Sequence, residues 1–295
     1  MSIDCSWRPN SRHVDLISER RRRVFPRFAA RLAAVVGIFT VTLLTTGCSH
    51  PATADPGMAV AFDGATGGVS LPLVTTATGN VTLESWVKIP TDARGCLVKI
   101  GDANTGYGFG VGTSHTSFDA DKPGNALIGL YENSQWLYPT GDPTLSTDAW
   151  HHVAFVIGAA GTAPTFYIDG TAYAATPPGT PHDPANAAFI GGYPGANRWG
   201  NATMAKVAVY DSALSAERIK EHAGATSDGS YDAAVMADTP VAYYELNEAN
   251  GPSAADSSGK SNTAAYVGNV KFSVPGPFAS KQQPEQQPSE QPTGQ

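Results

Sequence analysis

From Met58 to about Ala223 short apolar-rich runs alternate with clusters of Gly, Pro, Asn and Asp. Such punctuation predicts many short strands joined by tight turns, the signature of an all-β sandwich or barrel. In Thr82-Leu83-Glu84-Ser85-Trp86-Val87-Lys88-Ile89 apolar and polar positions alternate, as in a strand with one face in a core and the other in water. Lys206-Val207-Ala208-Val209-Tyr210 repeats the pattern. His152 to Ile157 and Thr165 to Ile168 are further strands, the second closed by a hairpin-type Asp169-Gly170 turn. Gly106-Tyr107-Gly108-Phe109-Gly110-Val111-Gly112 has the wrong period for a nucleotide loop and reads as a strand packed close to a neighbour. One short helix is predicted over 216–223, capped by Ser215 and ended by Gly224.

The amino-terminal stretch has a different texture. Arg8, Arg12, Arg20 to Arg23, Arg27 and Arg31 precede sixteen uncharged residues, Leu32 to Gly47. That run falls short of the ~20 apolar residues of a membrane span and suits a signal peptide over 1–47, with a non-cleaved anchor as the alternative. Leu44-Thr45-Thr46-Gly47-Cys48 resembles a lipobox, with Thr45 where Leu is usual. Residues 48–57 would then be a lipidated Cys48 and its tether, and two acyl chains would hold the protein stably on a membrane. Arg22 and Arg23, in Arg22-Arg23-Val24-Phe25-Pro26-Arg27, resemble a twin-arginine export signal, against the plainer reading of a basic signal-peptide start. The expected location is the cell membrane, lipid-anchored and facing the extracytoplasmic side.

Charge narrows the partners. The whole chain carries −7, but cleavage before Cys48 would leave 11 basic against 23 acidic residues, near −12. So acidic a body is unsuited to nucleic acid and to anionic lipid head groups, leaving the lipid anchor as its route to a membrane. Of the three cysteines, only Cys48 and Cys96 would remain. A lipidated Cys48 leaves Cys96 without a disulfide partner, and its strand context suggests a small buried side chain.

Several motifs, in order, are similar to the laminin-G-like jelly rolls of the concanavalin A-like lectin/glucanase superfamily. They are Ala61-Phe62-Asp63-Gly64, Val69 to Pro72, Leu83 to Val87, Trp150-His151-His152-Val153-Ala154, Phe166 to Gly170, Phe189-Ile190-Gly191-Gly192 and Val209 to Ser215. The resemblance implies an antiparallel jelly-roll β-sandwich over 58–224. A second stretch within 225–278, Asp238 to Glu248 and then Asp256-Ser257-Ser258-Gly259, resembles the segment that normally precedes the Phe-Asp-Gly strand. It is expected to complete the same sandwich by circular permutation, the rival being a truncated second module. Residues 279–295, rich in Gln and Pro, are expected to be disordered.

Catalysis finds little support. Related glucanases carry alternating Glu, Asp and Glu on one strand, a run this chain lacks; Asp119 and Asp121 read as loop, Glu217 and Glu221 as an exposed helix face. His151 and His152, neighbours on a strand, point to opposite faces and cannot share one ion. The resemblance brings calcium into view, yet the usual acidic pair is replaced by Ala205 and Lys206. No metal or other cofactor is assigned, although Asp102, Asn104 or Asp119 could contribute elsewhere.

What remains is binding of a glycan or other extracellular polymer. The candidate ligand residues lie in two aromatic stretches and are Trp136 and Tyr138 in one, Tyr193, Asn197, Arg198 and Trp199 in the other, where sugar rings could stack. The competing reading makes Trp136 and Trp199 plugs of the core. A protein-interaction or adhesion module without a sugar site, and less readily a divergent glycoside hydrolase, are the alternatives.

Overall fold

A computed structural model describes residues 57–279 apart from 92, 103–104, 113–125, 132–134, 160, 176–183, 186 and 194–197. Arg22, Arg23, Cys48, Asn104, Asp119, Asp121, Asn197 and residues 280–295 lie outside the described residues. The strands are β1 (Met58–Asp63), β2 (Gly68–Leu71), β3 (Val81–Lys88), β4 (Gly95–Ile100), β5 (Tyr107–Val111), β6 (Leu127–Tyr131), β7 (Gln135–Leu137), β8 (Trp150–Ile157), β9 (Thr165–Ile168), β10 (Thr171–Ala174), β11 (Ala188–Ile190) and β12 (Asn201–Tyr210). Helices α1 (Ala216–Ala223) and α2 (Asp228–Ala237) come next, then β13 (Ala242–Tyr244), β14 (Ser253–Ala254), β15 (Ala264–Val267) and β16 (Val270–Pro275).

Two antiparallel sheets form the predicted sandwich. One runs β10-β9-β8-β3-β12-β1-β16, with β13 also beside β12; the other runs β14-β15-β2-β11-β4-β5-β6-β7. Period-two alternation sends Phe62, Leu83, Val87, Val153, Phe155, Met204 and Val209 from the first sheet against Val69, Val98, Ile100, Phe109 and Ile190 from the second. Phe155 and Phe166 stack at 4.5 Å within this core. The predicted hairpin is present, with Asp169 and Gly170 at φ 48° and 76° and Thr171 paired to Ile168.

Residues beyond 225 belong to both sheets. β13 and β16 pair with β12 and β1, while β15 pairs with β2 and β14 with β15. The free edge of β12 is therefore shared. Asn201 to Met204 pair with β1, and Val207 to Val209 with β13. A bulge between Ala205 and Ala208, opposite β3, separates the two halves and puts Lys206 in the left-handed region at φ 58°.

The helices change the outer face of the first sheet. Ser215 caps α1 as expected, its side chain accepting from the Arg218 amide. Helix α2, which the strand-like reading of this region did not anticipate, opens on a capping box between Ser227 and Ser230. Ile219 of α1 packs on Ala154, Val156 and Tyr167; Tyr231 and Val235 of α2 join Trp86, Ala208, Tyr210 and Tyr243. The alternation of β3 predicts a wet face, yet β3 is buried on both faces because the helices cover it.

Two family-like motifs meet inside the fold. Gly191, at φ 77°, lies under the ring of Phe62, where a Cβ would come within 2.5 Å of Cδ2. Gly191→Ala should combine a left-handed penalty with overpacking, about 2–4 kcal/mol together. The expected fall in the melting temperature of the full chain is roughly 5–15 °C, measurable by circular dichroism.

Candidate functional site

Three polar arrangements stand out, two buried and one open. The first centres on Glu84, fully buried on the helix-covered face of β3. Burial alone would raise its pKa, but hydrogen bonds and charge from His152 and His222 outweigh this and hold it well below the usual carboxylate range. His222 Nδ1 lies 3.0 Å from Glu84 Oε1 and Nε2 lies 3.2 Å from Asp238, while His152 Nε2 lies 3.3 Å from Glu84 Oε2. Tyr210 donates its hydroxyl to Glu84 at 2.6 Å, and Arg218 grips Asp238 at 2.8 Å. Desolvation opposes the His222 imidazolium, yet Glu84 and Asp238 raise its pKa overall. Glu84, His152 and His222 are closed to solvent, and the cluster fastens α1 to the sheet. His151, on the opposite face of β8, bonds Asp169 at 2.7 Å.

The second arrangement is built on the β12 bulge. Lys206 is 1 % exposed, and its ammonium lies 3.2 Å from Asp228, 2.9 Å from Asp232 and 3.1 Å from Glu245. Asp228 and Asp232 are one helical turn apart on α2 and so reach the same point. Burial opposes the charge on Lys206, but Glu245, Asp232 and Asp228 raise its pKa. These residues do not fit calcium, because an ammonium already occupies the point where the carboxylates converge. Among the described residues no group of three or more His, Cys, Asp or Glu could hold a metal ion.

The third is a cleft of about 380 Å³ beside this ion pair, between the end of β13 and the β14–β15 region. Asn247 and Glu248 are buried in its lining, with Asn250, Ser253, Ala255 and Ser257 exposed around them. The backbone here is pinned by Asp256, which accepts from the amides of Tyr243, Ser258 and Asn262. Glu248 accepts from the Ala255 amide at 2.7 Å and the Tyr266 hydroxyl at 2.6 Å. Sequence reasoning missed this cleft, since it carries no aromatic run; the clue was the polar spacing Glu245, Asn247, Glu248 and Ser257 just after a strand.

The predicted aromatic residues do not form one site. Trp136 lies on β7, the edge of the second sheet, paired with Leu130, and Tyr138, just past the end of β7, is half-buried. Tyr193 and Arg198 close a loop through mutual backbone hydrogen bonds of 3.1 Å. Tyr193 is buried edge-on against Phe189. Trp199 is half-buried and lies against Gly192 and Gly68. Register links Phe189 through Lys99, Gly108 and Leu130 to Trp136. Four strand spacings, about 19 Å, thus separate Trp136 from Phe189, against which Tyr193 packs, while the Arg198 carbonyl accepts from the Cys96 amide of β4, three strands from β7. Between them Lys99 is buried and turns its ammonium onto the Ile100 and Thr105 carbonyls, and burial pushes its pKa down to about 8. Cys96 is a free, buried thiol, as its strand context suggested.

Comparison with known proteins fits this architecture. The laminin G-type profile of the concanavalin A-like lectin/glucanases superfamily matches residues 63–220, more than half of the chain, and the chain belongs to that family. No curated protein shows a significant match. Among solved structures, a Bacteroides ovatus protein described as a candidate carbohydrate-binding protein is similar at 17 % identity and a TM-score of 0.54, over 76 % of this chain and 62 % of that one. This chain therefore spans less than two thirds of that relative. Domain 4 of an extracellular GH43 arabinanase from Geobacillus stearothermophilus, in complex with arabinotriose, aligns at 20 % identity and a TM-score of 0.42, over 55 % and 74 %. A heptameric SAP-like pentraxin from Limulus polyphemus aligns at 15 % and 0.43, over 57 % and 82 %. At these identities the likeness is one of fold.

The Glu84 cluster sets a pH window for stability. A depressed Glu84 pKa stabilises the fold above its unfolded value of ~4.3, and that contribution is lost as pH falls towards the folded value. A raised His222 pKa stabilises below ~6.5 and is lost as pH rises through the folded value. Their joint contribution should peak between about pH 4.5 and 6.5. Glu84→Gln should flatten the profile and cost about 3 kcal/mol near pH 6, read by denaturant titration across pH.

Proposed function

We propose that this protein is an exported lipoprotein, tethered through Cys48, whose laminin-G-type jelly roll binds a carbohydrate or other extracellular polymer. The observation that carries the reading is the lectin-superfamily jelly roll itself, matched over 63–220. The fold likeness to the Bacteroides ovatus protein points the same way, as analogy. Anchoring is supported by the basic segment, the uncharged run and the small residues before Cys48.

A binding role is favoured over catalysis by how the carboxylates are used. Glu84 and Glu245 each accept hydrogen bonds on both oxygens from protein donors, two of them to Glu84 from imidazoles and one to Glu245 from an ammonium. A glycosidase needs two carboxyl groups free to address a scissile bond and a water. The placement of β13 to β16 in both sheets supports reading 225–278 as the family's opening strands in permuted order.

A glycan array probed with the purified full chain tests the reading. Saturable binding to particular saccharides is the expected result; binding to none of them would shift the assignment to a protein-interaction module. In cells, Cys48→Ala should move the protein from the membrane pellet to the soluble fraction, and unchanged pelleting would exclude a lipid anchor at Cys48.

A further inference from the structure

We infer that the cleft beside the Lys206 ion pair is the saccharide site, and that it takes an amino-sugar unit carrying a free ammonium group. The inference rests on the carbohydrate-binding reading and adds a place and a ligand class to it. The cleft lies outside the matched region 63–220, on the segment that carries β13 to β15.

Its volume, about 380 Å³, is at the small end of ligand sites, suiting a mono- or disaccharide unit. Two buried side chains in its lining have hydrogen-bonding capacity left. Asn247, 6 % exposed, donates one amide hydrogen to Glu245 at 2.9 Å; its second hydrogen and its Oδ1 have no protein partner among the described residues. Glu248 is 9 % exposed, and both its donors, the Ala255 amide and the Tyr266 hydroxyl, are neutral. Among the described residues no cation pairs with it.

The two carboxylates of the cleft therefore differ. Glu245 shares the Lys206 ammonium, whereas Glu248 has only neutral donors among the described residues. A buried carboxylate gains most from a partner that brings a positive charge and N–H donors together. Asn247 offers the mixed donor and acceptor that a ring hydroxyl requires. Gly251, Pro252 and Ala255 add an apolar wall for the C–H face of a sugar ring. Uronic, sialic and sulfated sugars would face Glu248 with like charge and be rejected.

Titration calorimetry of the full chain tests this with oligomers of glucosamine, N-acetylglucosamine and galacturonate. Glucosamine oligomers should bind most tightly and galacturonate oligomers not at all. Glu248→Gln should weaken glucosamine binding on the order of tenfold or more. Ala255→Arg alters only an exposed wall position and sets a tethered guanidinium beside Glu248; it should abolish binding while leaving the melting temperature unchanged. Glucosamine binding undiminished in Ala255→Arg would overturn the placement and leave the carbohydrate reading intact. Tighter binding of N-acetylglucosamine or galacturonate oligomers would overturn the ligand class. Absence of binding to all three, with a glycan array also blank, would overturn both this inference and the reading beneath it.

Discussion

Strand β12 has one edge to offer and two strands to satisfy with it. Its first half pairs with β1 and its second with β13, and the chain changes partner at a bulge where Lys206 adopts a left-handed backbone. That conformation is unfavourable by about 1–2 kcal/mol for a residue with a Cβ. It persists because the bulge aims the ammonium at Asp228, Asp232 and Glu245, while Ser85 donates its hydroxyl to the Ala205 carbonyl beneath. This one cation ties helix α2 to the residue that follows strand β13, beside the cleft, and adds to the apolar packing of Tyr231 and Val235 and the β12–β13 ladder.

The Glu84 cluster does the equivalent work for α1. A carboxylate in the middle of a covered sheet is tolerated because two imidazoles and a phenol satisfy it, and because His222 is in turn held by Asp238. Both clusters join the jelly roll to the chain beyond residue 215. They are structural uses of charge, in contrast to the open polar cleft, where Asn247 keeps hydrogen-bonding capacity among the described residues.

The Lys206 centre also bears on calcium chemistry at the closing strand. Where a divalent ion would gather carboxylates from several elements, Lys206 gathers them with a covalently attached charge. The ammonium donates hydrogen bonds to Asp232 and Glu245 and lies at ion-pair distance from Asp228. The charge on which these carboxylates converge is part of the chain itself.

Much of the sandwich was legible from local pattern. Alternation in β3 and β12, the Asp169-Gly170 turn, the Ser215 cap and the ordered motifs from Phe62 to Ser215 obey short-range rules of period, turn backbone and capping. The burial of Cys96 was legible for the same reason. What local pattern could not settle was which faces stay wet, because that depends on segments far along the chain. Glu84 sits at a polar position of an alternating strand, and only the packing of α1 and α2, more than a hundred residues later, turns that position into a buried site. Likewise Trp136 and Trp199 have similar aromatic surroundings in sequence, but Trp136 lies on the edge strand β7 whereas Trp199 packs against Gly68 of β2 and Gly192 beside β11. The cleft depends on long-range contacts too, since Lys206 and Tyr266 reach Glu245 and Glu248 from other strands. Periodicity and turn chemistry are properties of neighbours in the chain, whereas a shared cation and a covered face are properties of neighbours in space.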